Sequence, residues 1–113
     1  MCGKVQAAVD ARKSENTLIV ARTDAIAVEG LESALNRAEC YADAGADVLF
    51  VEAPKSIKDM ELIVSRLGSK LPLLANMVEG GQTPLLTAKE LKKIGYKIVI
   101  FPGGLVRAQT YAT

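Results

Sequence analysis

Four apolar runs, each rich in β-branched residues, recur along the chain and alternate with amphipathic stretches. Near-continuous apolar runs of this length are typical of strands that are buried on both faces, as in parallel sheets. The pattern therefore predicts four parallel strands, at residues 17–22, 47–53, 72–78 and 97–102.

The amphipathic stretches carry the start and stop signals of helices. Ser56 with Asp59, and Thr87 with Glu90, have the spacing of residue pairs that cap the first turn of a helix. Apolar residues then follow at the helical period, and a glycine ends each stretch. Helices are predicted over residues 31–42, 56–67 and 87–94, in the opening segment and over residues 105–111; the closing glycines are Gly45, Gly68 and Gly95.

Strands and helices that alternate in this way form either an open doubly wound sheet or a closed eight-stranded barrel. No G-x-G-x-x-G follows a predicted strand, so a dinucleotide-binding sheet has little support. The sequence starts and ends in helix-like stretches, and a whole barrel has ~250 residues. We therefore expect an α/β fold in which residues 1–113 are the second half of a (β/α)8 TIM barrel: four parallel strands with intervening helices, about strands 5 to 8 of a parent barrel.

Half a barrel would leave two strand edges and one sheet face without partners. We expect Val20, Phe50 and Leu74 to be exposed on that inner face. Unpaired edges and apolar patches recruit other chains, and two copies could close a barrel about a two-fold axis. The expected partner is therefore a second copy, in a homo-oligomer.

Composition excludes several classes of function. The net charge of +1 includes no basic block, so neither nucleic acid nor a membrane surface is an expected partner. The absence of histidine excludes a Ser-His-Asp triad and histidine-ligated metals within these residues. Cys2 and Cys40 form no C-x-x-C pair, which predicts two reduced thiols in a cytoplasmic protein. Cys40 lies on a helical apolar stripe and is expected to pack in the core.

Polar residues close the predicted strands, and parallel barrels carry their catalytic groups at these ends. Because side chains alternate along a strand, Arg22, Glu52 and Asn76 are expected to point toward one space. A guanidinium suits a carboxylate, and an amide can donate to a carboxylate or an enolate. The glutamate could orient the arginine or help an ion site. These residues predict an anion site that lacks a proton-transfer group with a pKa near 7.

Structural roles compete with this interpretation. Arg22 could lie at a barrel rim or pair with Glu52, and Asn76 could cap a turn. For Asp24 a loop or helix cap is favoured, and for Glu79 a solvated position.

One further pair of residues has a weaker functional interpretation. Gly103 and Gly104 precede a predicted helix and could hold a phosphate through backbone N–H groups, although a plain turn is favoured.

Three motifs resemble those of the isocitrate lyase and phosphoenolpyruvate mutase superfamily. They are IVARTDA at residues 19–25, LFVEAP at residues 49–54 and LLANMVEGGQTP at residues 73–84. The resemblance covers nearly the whole chain. It is greatest to the short branch that contains methylisocitrate lyase, dimethylmalate lyase, oxaloacetate decarboxylase and the phosphonate-forming mutases.

The resemblance implies a barrel that uses Mg²⁺ to bind a small 2-oxo or 2-hydroxy acid. By motif, Arg22 corresponds to an arginine that binds the substrate carboxylate, Glu52 to the glutamate beside it and Asn76 to an asparagine that contacts the same carboxylate. The family's magnesium ligands lie on earlier strands, so none is expected in this chain. Its K-[KR]-C-G-H loop also precedes the first helix, and Cys2 is not the cysteine of that loop.

The predicted function is therefore that of a fragment. The parent would be a Mg²⁺-dependent carbon–carbon lyase or decarboxylase that acts on a small di- or tricarboxylate through an enolate. A phosphoenolpyruvate or carboxyphosphonoenolpyruvate mutase is the alternative parent, and a non-catalytic half-barrel that only associates is the alternative from another class. The chain alone is expected to be inactive.

Overall fold

The computed structural model describes residues 1–112 and contains four strands and six helices within them. The predicted strands and helices are present, and the strands are shorter than the apolar runs that predicted them. A four-residue helix, too short to produce a sequence period, was not predicted. The elements are α1 (Cys2–Ala11), β1 (Val20–Thr23), α2 (Ile26–Glu29), α3 (Leu31–Asp43), β2 (Val48–Val51), α4 (Ile57–Leu67), β3 (Leu74–Asn76), α5 (Ala88–Ile94), β4 (Ile98–Ile100) and α6 (Gly104–Ala112).

The strands are parallel and lie side by side in chain order. β1 pairs with β2, with Arg22 opposite Phe50, and β3 pairs with β4, with Asn76 opposite Ile100. A single parallel bridge between Leu49 and Leu73 connects the two pairs. All four strands therefore end at the same edge.

The two faces of the strands have separate apolar clusters. Alternate strand residues, such as Ala21, Leu49 and Ala75, pack with the helices in the larger cluster. The smaller cluster contains strand residues alone: Val48, Phe50 and Leu74, with Ile98 packed against them. Among residues 1–112, the helices thus pack on one face of the strands, and the fold is α/β with parallel strands.

The expectation of an exposed inner face is correct for only one of its three residues. Val20 is 47% exposed, whereas Phe50 and Leu74 are 8% and 9% exposed. Phe50 and Leu74 are buried because they pack in one small cluster with their neighbours on the strands. The guanidinium of Arg22 also covers the ring of Phe50, with Cζ 4.9 Å from the ring centre.

The helix signals of the sequence correspond to real caps. Ser56 accepts the backbone N–H of Asp59, and Thr87 and Glu90 form a complete capping box. Such caps stabilise a helix by about 1 kcal/mol each. Gly95 ends α5 with a φ of 126°, a left-handed conformation that glycine adopts without strain.

The prediction of two reduced thiols is wrong for this structure. Cys2 on α1 and Cys40 on α3 form a disulfide, with a Cα–Cα distance of 6.2 Å that lies within the range of natural bridges. Cys40 is exposed and does not pack in the core. The helical period placed it beside the apolar stripe, but the period could not reveal that α1 lies next to this edge of α3.

None of the helices within residues 1–112 combines the length and the apolar character that crossing a bilayer would require.

Candidate active site

Three polar side chains meet where the strands end. Arg22 lies on β1, Glu52 follows β2 directly and Asn76 is the last residue of β3. Nδ2 of Asn76 donates to Oε2 of Glu52 at 2.9 Å, and Nη2 of Arg22 lies 3.3 Å from the same oxygen. The prediction that the three side chains share one space is confirmed, and their roles stay predictions.

Glu52 is anchored through both oxygens of its carboxylate. Oε1 accepts the backbone N–H of Ala53 at 2.9 Å, while Oε2 receives Asn76 and Arg22. Its backbone N–H donates to the carbonyl of Thr23 at 3.0 Å, which ties it to β1. With its side chain only 17% exposed, Glu52 is a fixed acceptor that holds a cation and an amide in place.

The turn after β2 contains a strained residue that the sequence analysis did not identify. Ala53 has a φ of 60°, the left-handed region, although it is not glycine. This conformation costs a non-glycine residue about 1–2 kcal/mol and is found most often at functional sites. Here it directs the N–H of Ala53 toward the Glu52 carboxylate.

Arg22 is held by a second carboxylate, that of Asp24. Nε and Nη2 of Arg22 donate to Oδ1 and Oδ2 of Asp24 at 2.6 and 2.9 Å. The hydrogen bond to Asp24 is the main reason that the pKa of Arg22 is raised. The same bond lowers the pKa of Asp24, so this carboxyl group stays ionised at neutral pH.

Asp24 lies in the loop after β1, the first of the two positions favoured for it, and does not cap α2. The backbone N–H of Ala25, at the start of α2, donates instead to Oγ1 of the buried Thr23 at 3.2 Å. The side chain of Asp24 instead contacts Arg22 near the end of β1. The sequence offered one signal for this contact, since Arg22 and Asp24 are separated by a single residue at the point where the strand becomes a turn.

Asn76 has one polar atom without a partner. Its Oδ1 atom is buried and accepts no hydrogen bond from any group in residues 1–112. Buried acceptors are nearly always paired, which makes this atom a point where a ligand or a water molecule would be received. An open cavity of about 240 Å³ adjoins Asn76, Glu52 and the loop after β3. A second, of about 400 Å³, adjoins Arg22 and Asp24 beside α2 and α3.

The remaining candidates lie at the end of β3 and before α6. The side chain of Glu79 is 42% exposed and pairs with Arg107 at 3.1 Å. Gly103 lies in a turn and Gly104 is the first residue of α6; the N–H of Gly104 donates to the carbonyl of Phe101. The turn favoured in the sequence analysis is thus present, and phosphate binding there stays untested.

The residues at this site do not fit a metal centre by themselves. Within residues 1–112 there is no group of three or more His, Cys, Asp or Glu side chains able to hold a metal ion. The two carboxylates that are present, those of Asp24 and Glu52, are both engaged with Arg22. No chemical step through a metal can be derived from these residues.

The arrangement can bind and orient a small anion but has no evident group for moving a proton. Both oxygens of Glu52 accept hydrogen bonds, and Asp24 is committed to Arg22. Arg22 still presents Nη1, and its side chain is 48% exposed. The cluster therefore offers a ligand one donor, Nη1 of Arg22, and one buried acceptor, Oδ1 of Asn76.

A family model for phosphoenolpyruvate phosphomutase matches residues 1–113. The chain is 44% identical over 114 residues to 2,3-dimethylmalate lyase of Eubacterium barkeri, covering 99% of this chain and 38% of that protein. It is 49% identical over 113 residues to 2-methylisocitrate lyase of Aeropyrum pernix, covering 100% and 35%. The chain thus spans less than two fifths of the length of these relatives.

Solved structures have the same fold. The crystal structure of a 2,3-dimethylmalate lyase superposes with a TM-score of 0.91 at 36% identity, over 98% of this chain and 39% of that one. Oxaloacetate acetylhydrolase in complex with the product oxalate gives 0.88 at 34% identity, over 98% and 38%. By its matching family model, its relatives and its fold, this chain belongs to the phosphoenolpyruvate mutase and isocitrate lyase superfamily.

Proposed function

We propose that this chain is the substrate-orienting part of a carbon–carbon bond lyase or decarboxylase that acts on a small 2-oxo or 2-hydroxy di- or tricarboxylate. The observation that carries the proposal is the meeting of Arg22, Glu52 and Asn76 at the ends of three parallel strands. The names of the relatives, dimethylmalate lyase and methylisocitrate lyase, support the same class of reaction.

In this proposal residues 1–113 are about strands 5 to 8 of a (β/α)8 barrel. Chain-order pairing and helices on one face support it, because a barrel repeats this arrangement until it closes. The superposition on less than two fifths of a dimethylmalate lyase supports it as well.

Each residue of the cluster has a distinct role. Arg22 donates to a carboxylate of the substrate and so fixes which end of the molecule faces the reacting bond. Glu52 keeps Arg22 and Asn76 at their positions through its two oxygens. The second N–H of Asn76 Nδ2, beside the one given to Glu52, stabilises negative charge that develops on the substrate, because a preorganised amide needs no rearrangement during the reaction.

Magnesium, which the family resemblance implies, would polarise the substrate oxygen when bound. Its ligands are proposed to lie outside this chain, since the carboxylates of residues 1–112 do not form a metal centre. A homo-oligomer and a cytoplasmic location also stay predictions.

A chimeric enzyme tests the proposal. The segment of Eubacterium barkeri 2,3-dimethylmalate lyase that matches residues 1–113 is replaced by this chain, to which it is 44% identical. We expect the chimera to cleave dimethylmalate in the presence of Mg²⁺, and the isolated chain to show no turnover with or without it. A folded chimera without activity, or sustained Mg²⁺-dependent release of an oxo acid by the isolated chain, would contradict the proposal.

A mutase is the second candidate. Its support is that the matching family model is that of the phosphomutase and that phosphonopyruvate hydrolase superposes with a TM-score of 0.78 at 29% identity. The same segment exchanged into a phosphoenolpyruvate mutase separates the two. Activity there, with none in the lyase chimera, would favour the mutase.

A further inference from the structure

Asp24 lies outside the three residues that the family motifs single out, yet it makes the shortest contact of the site. Its two oxygens face Nε and Nη2 of Arg22 at 2.6 and 2.9 Å. Two parallel charge-assisted hydrogen bonds of this kind fix the plane of a guanidinium as well as its position. The contact therefore determines which edge of Arg22 is available to a ligand.

Other groups around Arg22 further limit which of its nitrogens is available to a ligand. Nη2 also lies 3.3 Å from Oε2 of Glu52, an ion pair that holds this nitrogen between two carboxylates of the protein. The ring of Phe50 lies under the guanidinium, 4.9 Å from Cζ. Nη1 is the nitrogen of Arg22 that makes no hydrogen bond to any group in residues 1–112.

We propose that Asp24 is a positioning residue that locks the Arg22 guanidinium with Nη1 outward, so that a ligand carboxylate is received by Nη1 and not by the two-nitrogen fork. This inference rests on the proposed function, in which Arg22 is the group that binds a carboxylate. A guanidinium can meet a carboxylate with two parallel N–H donors, but here Asp24 already occupies the fork of Nε and Nη2.

The lock also affects the charge of the site. Arg22 contributes one positive charge, and Asp24 and Glu52 contribute two negative charges around it. Attraction of an anion by net charge is therefore weak. Recognition relies on the direction of the Nη1 donors, which is the property that Asp24 controls.

The lock is tested first without a ligand, by NMR of the arginine side chain in the 113-residue chain. We expect rotation about the Cζ–Nη bonds of Arg22 to become about tenfold faster in Asp24→Asn, since a charge-assisted fork is replaced by a neutral contact. Asp43→Asn is the matched control, because Asp43 is exposed and forms no ion pair within residues 1–112. Unchanged rotation in Asp24→Asn, with the chain still folded, would overturn the inference.

Oxalate then serves as the probe of direction. In the unchanged chain, oxalate should shift the Nη1 resonances and leave that of Nε in place. In Asp24→Asn it should also shift Nε, because the fork has become accessible. A shift of Nε in the unchanged chain would contradict the lock.

The two proposals fail in different ways. Absence of any oxalate shift at Arg22 in either protein would count against the carboxylate-binding role, while the rotation measurement still decides the lock. Thermal unfolding of both variants separates a positioning role from a structural one. Because the Asp24 side chain is 61% exposed, its removal should leave the melting temperature close to that of Asp43→Asn.

Discussion

Glu52 connects three strands through one carboxylate, and this makes the site sensitive to single substitutions. Its oxygens accept N–H groups of Ala53 and Asn76 and form an ion pair with Arg22, and its own N–H donates to the carbonyl of Thr23 on β1. A largely buried carboxylate that loses a partner is left under-solvated, which is more damaging than the loss of the bond itself. Substitutions of its partners are therefore expected to act on the whole cluster.

The first prediction concerns Arg22 in the chimeric lyase. Arg22→Ala should lower kcat/KM by about 30- to 1,000-fold, because removing a charge-assisted contact to the substrate costs roughly 2–4 kcal/mol. Arg22→Lys should restore only part of this loss, since an ammonium cannot match the planar geometry. Steady-state kinetics are the measurement, and Lys70→Ala, at an exposed lysine after α4, is the control. A near-normal kcat/KM for Arg22→Ala would show that the assignment is wrong.

The second prediction concerns Ala53. Replacing it with glycine should stabilise the chain by about 0.5–1 kcal/mol, because relief of the left-handed strain exceeds the extra entropy that glycine loses on folding. Urea unfolding measures the effect. Ala7→Gly, at an exposed position within α1, is the matched control and should destabilise by about 1 kcal/mol. Destabilisation by Ala53→Gly equal to that of the control would mean that the residue is unstrained.

Sequence patterns predicted that the three candidate site residues meet but not the contacts that orient them. Arg22, Glu52 and Asn76 could be found because the ends of parallel strands meet and side chains alternate. The contact between Asp24 and Arg22 depends on a turn conformation, and the strain at Ala53 has no glycine to mark it. Both are backbone properties that residue types do not encode at these positions.

At the scale of elements, α1 has little support from burial. Val5 is its one buried residue within the part of the chain that the structure describes, and Cys2 and Val9 pack against the core while partly buried. The disulfide between Cys2 and Cys40 fastens it there. Helix ends and strand order follow from local patterns, whereas the lateral contact between α1 and α3 depends on tertiary packing, which is why the sequence analysis missed the bridge.

The third prediction tests this bridge. Its cysteines are 38 residues apart, and closing a segment of that length stabilises a fold by up to about 4 kcal/mol in the chain-entropy treatment. Cys40→Ser should therefore lower the unfolding free energy of the oxidised chain by about 2–4 kcal/mol. Urea unfolding with and without a thiol reductant is the measurement.

The two single cysteine variants, the double variant and the reductant serve as controls for one another. Cys2→Ser should give the same loss as Cys40→Ser, and the double variant should lose no more than either. Reductant should affect the unchanged chain and leave the variants as they are. Equal stability of all four proteins under oxidising conditions would show that the bridge contributes nothing.

At the scale of the whole molecule, the strand edges offer a better surface for association between copies than the inner face does. β1 and β4 each have one edge without a partner in residues 1–112, and Val20, Ile100 and Phe101 are exposed beside them. The inner face is smaller than the sequence predicted, because Phe50 and Leu74 are already buried. Edge pairing is thus the expected route of association.

The fourth prediction is that the 113-residue chain self-associates. A two-fold axis parallel to the strands would bring β1 of one copy beside β4 of the other in the parallel sense, on both sides at once. Sedimentation equilibrium over a wide concentration range should show a dimer or a larger species. A charge on an edge, as in Val20→Lys, should weaken it. A 12.0 kDa monomer at all concentrations, with cooperative unfolding, would contradict the half-barrel proposal.

The pairing of each strand with the one before it also bears on how the chain folds as it is made. The segment closed by each pairing is a single strand–helix unit, and the entropy of closing a loop rises with its length. Low contact order of this kind is associated with fast folding. β1 and β2 can pair beneath α3 once the ribosome has released Val51. Each later unit then adds to an edge that already exists, so the chain need not wait for a distant partner to emerge.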